Sequence, residues 1–172
     1  MKSVFLLTGR PGSGKTTIIR KTLSYIKAKP GGFYTEEIRI SGIRQGFKII
    51  TLDGRESVLS HVDFTGPYTV GKYHVNIQNL ETIAVPAILQ SLREADLTVI
   101  DEIGKMEILS SLFRETVLQA VNSGRKILGT IMLNPNPFAD SIKKNPAVNL
   151  VTLTAANRDA VLHDLVNALG KL

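Results

Sequence analysis

The run Gly9-Arg10-Pro11-Gly12-Ser13-Gly14-Lys15-Thr16 fills every required position of the pattern G-x-x-x-x-G-K-[ST], and it constrains this chain more than any other stretch. A loop that wraps a polyphosphate must turn several backbone N–H groups inward. Gly9, Gly12 and Gly14 permit the angles and the close approach that a Cβ would obstruct. Lys15 then brings a point charge to the β- and γ-phosphates, and the Thr16 hydroxyl is placed to ligate magnesium. The flanks agree with this reading: Val4-Phe5-Leu6-Leu7 suits a buried parallel strand, and Thr17-Ile18-Ile19 opens a helical pattern. A phosphate held there would lie at a helix N-terminus, where unpaired N–H groups and the helix dipole favour negative charge.

Composition bounds the rest. A chain of 172 residues is expected to form one domain, residues 1–172, with a sizeable core. It has no cysteine, which excludes disulfides, thiolate metal sites and cysteine nucleophiles and suits a reducing cytoplasm. No apolar run is long enough for a signal-peptide core or a membrane span, so a cytoplasmic protein with no membrane partner is expected. The net charge of +6 raises the question of nucleic acid, but the basic residues are scattered, the densest groupings being Arg20-Lys21 and Lys143-Lys144. A surface that attracts polyphosphates explains that charge as well, and nucleic acid is not the favoured partner. Nothing in the sequence sets an oligomeric state, and a monomer is the working expectation.

The helix after the loop should end near Lys29-Pro30-Gly31-Gly32. From residue 32 to 61 the period changes to that of strands: Phe33 to Ile40, Phe47 to Leu52, and a third run around Ser57-Val58-Leu59-Ser60, with Asp53-Gly54 as a hairpin turn. This reads as an inserted antiparallel meander that extends a sheet edge or forms a flap near the nucleotide. His61 and His74 are isolated and read as surface or supporting residues, and Tyr73 to Ile77 as a short strand. A helix over residues 80–95 places Pro86 near its first turns, where a missing N–H costs least.

Leu97-Thr98-Val99-Ile100-Asp101-Glu102 is an apolar strand ending in two acids, the Walker B pattern. A carboxylate at that strand end can reach the magnesium that Thr16 faces, so Asp101 is the candidate for the metal's second protein contact, through water. Glu102 is the candidate for positioning or deprotonating the attacking water. A further strand over Lys126 to Met132, a last strand Leu150-Val151-Thr152-Leu153, and a final helix capped by Thr154 complete the alternation. The expected fold class is α/β, a P-loop NTPase with a mainly parallel sheet, helices on both faces and right-handed crossovers. Gly9 to Thr16, Asp101-Glu102 and Thr154 to Arg158 all fall at carboxyl ends of strands, where such sheets bind ligands. The motifs alone leave three outcomes open: hydrolysis, a small-molecule or nucleotide kinase closing Arg39, Arg44 and Arg55 over a second substrate, and a nucleotide-dependent switch or RNA-associated NTPase.

The phosphate loop, Gly32-Phe33-Tyr34-Thr35-Glu36-Glu37-Ile38-Arg39 with Gly46-Phe47, Val99-Ile100-Asp101-Glu102-Ile103-Gly104-Lys105-Met106-Glu107, and Asn157-Arg158-Asp159 together resemble a family. It is the nucleoside-triphosphatases that include the human cancer-related nucleoside-triphosphatase and its thermophile relatives, and the resemblance covers nearly the whole chain. What it implies is Mg2+-dependent hydrolysis of nucleoside 5′-triphosphates, ATP and GTP among them, to diphosphate and phosphate with loose base preference. It also implies nucleotide contact for the loop through Thr17 and for the segment Leu97, Thr98, Val99, Ile100, Asp101, Glu102, Ile103 and Gly104. Asn157 and Arg158 match a family string where related folds hold the base. Strand alternation sends Glu36 and Glu37 to opposite faces, so at most one of them faces the site.

Overall fold

Short apolar strand runs interspersed with helices that have one apolar face leave few arrangements other than a sheet covered on both sides. The computed structural model describes residues 2–171 and has that form. In chain order the elements are β1 (Val4–Thr8), α1 (Lys15–Tyr25), β2 (Pro30–Ile40), β3 (Ile43–Thr51), β4 (Glu56–His61), β5 (Thr69–Val70), β6 (Tyr73–Val75) and α2 (Ile77–Glu94). They continue with β7 (Leu97–Ile103), a 3-10 turn (Glu107–Leu109), α3 (Ser111–Asn122), β8 (Ile127–Ile131), α4 (Pro137–Lys143), β9 (Val148–Thr152) and α5 (Arg158–Leu169).

One sheet runs in the order β5-β6-β4-β3-β2-β7-β8-β1-β9. The five strands from β2 to β9 in that order are parallel, and β3, β4, β6 and β5 add antiparallel strands on the β2 side. The alternation along β1 shows how the two faces are filled. Val4 and Leu6 enter a core with Phe33, Ile88, Ile100, Phe113 and Val117, under α2 and α3. Phe5 and Leu7 enter a second core with Ile18, Ile19, Val99, Leu128, Val161 and Leu165, under α1 and α5. Phe33 and Phe113 meet edge-to-face with centroids 6.1 Å apart, an arrangement worth about 0.5–1.5 kcal/mol beyond their burial. Among the described residues no helix is long and apolar enough to cross a membrane.

Three expectations change in detail. The meander extends a sheet edge, as expected, but over wider bounds: β2 pairs in parallel with β7 over Pro30 to Tyr34 and runs on antiparallel to β3, and the antiparallel part continues through β6 to Val75. Helix α2 starts earlier than expected because the Asn76 side chain accepts the Asn79 N–H, so Pro86 falls mid-helix on its exposed side. There the carbonyl that loses its N–H partner can turn to water. Thr154 does not cap α5; Asn157 shapes that turn, accepting the Thr154 N–H at 2.8 Å and donating to the Thr152 carbonyl at 2.9 Å.

Candidate active site

The loop between β1 and α1 is built from its glycines. Gly14, with φ of 98°, stands in the left-handed region immediately before α1, and no side chain caps the helix. The first N–H groups of α1 therefore have no helical partner and face the loop. Lys15 folds back across the loop, its Nζ donating to the carbonyls of Gly9 at 3.0 Å and Arg10 at 3.2 Å. The ammonium thus stands inside the ring that a polyphosphate would share. Thr16 is half-buried one residue on, while Arg10, Pro11, Gly12 and Thr17 are exposed. The Ser13 hydroxyl is buried without a hydrogen-bond partner.

Strand β8 separates β1 from β7, so the loop and Asp101 are one strand apart at the same sheet edge. Asp101 is buried, and Thr130, buried on β8, donates to its Oδ1 at 2.7 Å. Oδ2 has no hydrogen-bond partner. Burial pushes the Asp101 carboxyl above its ordinary value, against the holding effect of the Thr130 and Thr16 hydroxyls and of the Lys15 and Arg20 charges. The Thr16 hydroxyl is near enough to favour the carboxylate without closing a hydrogen bond to Oδ2. An orphaned carboxylate oxygen beside a threonine hydroxyl is a hard-oxygen donor set, the kind magnesium takes. Thr130 went unmarked in the sequence, where its one signal is a hydroxyl inside the apolar run Ile127-Leu128-Gly129-Thr130-Ile131.

Glu102 follows at the end of β7, and Gly104 makes its position possible. A Cβ on Gly104 would collide with Glu102 Oε1 and stand 2.9 Å from Glu107 Oε2, so the two carboxyl groups converge over one bare backbone position. Burial, then the Asp101 charge, raises the Glu102 carboxyl, and Lys15 partly offsets them. Glu107, at the start of the 3-10 turn, is the third member and was given no role by the sequence. Burial, then the Glu102 charge, pushes its carboxyl well above the ordinary value, while the amides of Glu107 and Gly104 partly hold it down. The folded chain therefore keeps a proton on Glu107 at pH values where the unfolded chain has released it. Stability is fully present below 4.5, the ordinary value, and declines as pH rises above it. Glu107→Gln removes that ionisation and keeps an acceptor for the amides. Thermal unfolding across pH should show the variant gaining on the wild type as pH rises from 4.5 toward neutrality; a difference independent of pH would refute this.

Strand β2 continues past Tyr34, the register partner of Asp101, and carries residues 35 to 40 beyond its last pair with β7. Glu36 turns toward α1, where Arg20 pairs with it at 3.2 Å and lies over the Tyr34 ring, 4.5 Å from its centroid. Glu37 takes the opposite face and binds Arg39 and Arg44. Glu36 is thus the one on the side of the loop. The arginines expected to serve a closing flap are otherwise engaged: Arg44 also donates to Tyr73 Oη at 2.8 Å, Arg39 to the Gly42 carbonyl at 2.7 Å, and Arg55 pairs with Asp53.

The remaining expected residues divide between site and core. Leu97, Val99, Ile100 and Ile103 are fully buried in the two cores, and Thr98 is buried against Ser91 at 2.8 Å. These residues carry Asp101 and Glu102 to the sheet edge and offer no surface to a nucleotide. Arg158 reaches the loop, with Nε donating to the Ser13 carbonyl at 2.7 Å. A cavity of about 260 Å³ lined by Gly31, Leu52, Arg55, Ser91 and Glu94 lies at the start of β2, the end away from the loop.

This arrangement has counterparts. The family model described as NTPase matches residues 4–166. The nucleoside-triphosphatase THEP1 of Thermotoga petrophila is 49% identical over 95% of this chain and 91% of its own length, and that of Methanocaldococcus jannaschii is 42% identical over 95% of each. The crystal structure of THEP1 from Aquifex aeolicus is similar with a TM-score of 0.88 at 38% identity, covering 98% of this chain and 99% of that one. The solution structure of a human cancer-related nucleoside triphosphatase is similar with a TM-score of 0.79 at 38% identity, covering 99% and 98%.

Proposed function

Because the chain belongs to the NTPase family, we propose that it hydrolyses nucleoside 5′-triphosphates to diphosphate and phosphate with Mg2+, with loose base preference, as one cytoplasmic domain. The observation that carries the reading is the orphaned Asp101 Oδ2, buried at the sheet edge one strand from Lys15 and held by Thr130 through its other oxygen.

In this reading the loop amides and the first turn of α1 bind the phosphates, and Lys15 exchanges its two carbonyl partners for the β- and γ-phosphate oxygens. Its charge then offsets the charge that spreads over the transferred phosphoryl group. Thr16 and Asp101 would hold Mg2+, which would neutralise part of the charge on the phosphates. Glu102 accepts a hydrogen bond from the attacking water, orients it and takes its proton as the bond from water to the γ-phosphorus forms and the bond from that phosphorus to the oxygen leaving with the diphosphate breaks. Glu107, crowded against the same glycine, limits where the Glu102 carboxylate can swing. Arg39, Arg44 and Arg55 are each engaged by neighbours within the antiparallel strands and their turns, in keeping with water as the acceptor, since a kinase needs a mobile, water-excluding lid.

Phosphate release from ATP, GTP, CTP and UTP, with and without Mg2+ and with candidate hydroxyl acceptors, tests the proposal. Free phosphate from all four, dependent on Mg2+ and indifferent to acceptor, is the expected result. Stoichiometric phosphorylation of an acceptor in place of phosphate release would replace it with a kinase.

A further inference from the structure

Arg158, the first residue of α5, spans the gap between the last helix and the phosphate loop. Its Nε donates to the Ser13 carbonyl at 2.7 Å and its Nη2 to the Gly12 carbonyl at 3.4 Å. The guanidinium also covers Gly14, where a Cβ would stand 3.2 Å from Nε. Asn157 fixes the preceding turn with both ends of its amide, so the arginine is presented from a braced position. We propose that Arg158 is a positioning residue that clamps the phosphate loop in its binding conformation, and that it acts on the triphosphate of every nucleotide alike.

The planarity of the peptide carries this restraint across the loop. In a trans peptide the C=O of one residue and the N–H of the next point in opposite directions. With the Ser13 carbonyl held by Arg158, the Gly14 N–H points the opposite way, away from the guanidinium. Gly14, like Gly9 and Gly12, carries a positive φ and has no Cβ to restrict it, so an external restraint on its peptide limits a freedom that the loop otherwise keeps. The partner is charged, which makes the bond to Ser13 a strong one of its kind. A loop held this way loses less freedom when a polyphosphate binds. A guanidinium occupied by loop carbonyls and seated on Gly14 is committed to the loop and is poorly free to read a base.

The inference rests on the triphosphate reading, and its test separates the two. Equilibrium binding of ATP, GTP and inorganic tripolyphosphate to the full chain would be measured for wild type, Arg158→Ala and Arg158→Lys, with thermal unfolding alongside. Tripolyphosphate has no base. Arg158→Ala should weaken all three by one common factor of about ten, the scale of one charged hydrogen bond, at an unchanged melting temperature. Arg158→Lys should recover part of the loss, because an ammonium can reach one carbonyl but cannot span two. Weakened ATP and GTP with unchanged tripolyphosphate would make Arg158 a base contact and overturn the proposal. Unchanged binding of all three would also overturn it, as would a loss that only follows a lowered melting temperature. A wild type that binds none of the three would overturn the triphosphate reading itself, and the clamp with it.

Discussion

Glu102→Gln should slow phosphate release by about 10²- to 10⁴-fold, the range for a positioned general base, while nucleotide affinity stays within about threefold of wild type. The substitution keeps the shape of the side chain, and the bare Gly104 backbone that admits the glutamate admits glutamine equally. It removes the capacity to take a proton. Orientation of the attacking water by the remaining amide oxygen would persist, so the loss falls on kcat. The substitution also takes a negative charge from beside Asp101 and Glu107, each of whose carboxyl groups is raised mainly by burial. Affinity for an anionic substrate should therefore not suffer. Phosphate release in single-turnover conditions, paired with equilibrium binding of ATP, measures both halves. Turnover equal to wild type would remove Glu102 from the chemistry.

What could be read from the sequence follows how local the constraint is. The phosphate loop is one contiguous string, and each position answers to a requirement of its own backbone, so its function shows without a fold. Asp101-Glu102 needs only a strand before it. Thr130 and Glu107 lack such neighbours in the chain: Thr130 meets Asp101 across 29 positions, and Glu107 looks like any acid entering a helix until Gly104 folds it toward Glu102. The parity of Glu36 and Glu37 is visible in alternation, but which face α1 covers is a tertiary fact, settled by the pairing of Arg20 with Glu36. The same limit explains α2. Asn76 reads as the end of a strand, and only its bond to the Asn79 N–H makes it the start of a helix that carries Pro86 in its middle. Leu97 to Ile100 show the converse limit: a family string marks the segment as a whole, and only the fold shows that the side chains of these four residues lie in the core behind the two acids.

Lys15→Ala should abolish measurable hydrolysis, with kcat/KM falling by about three orders of magnitude or more, the upper range for removing one preorganised donor to the transition state. The loss should appear in binding as well as in turnover, in contrast to Glu102→Gln. Lys15 meets the phosphates before the transferred group has changed, so part of its contribution is uniform binding and enters KM. The structure adds a second source of loss. Without substrate the ammonium bridges the Gly9 and Arg10 carbonyls, and alanine leaves both without that tie, so the loop forfeits a restraint along with a charge. Arg158 still holds the other limb at Ser13 and Gly12, so the loop keeps its second restraint and the comparison is fair. Lys15→Arg separates charge from shape. A planar guanidinium keeps the charge but does not fit between two converging carbonyls as a compact ammonium does, so it should restore affinity in part and turnover hardly at all. Measuring phosphate release and ATP binding on both variants checks the split; Lys15→Ala turning over within tenfold of wild type would show that the charge stabilising the phosphoryl group comes from elsewhere, with Arg20, the next cation facing Asp101, the first residue to examine.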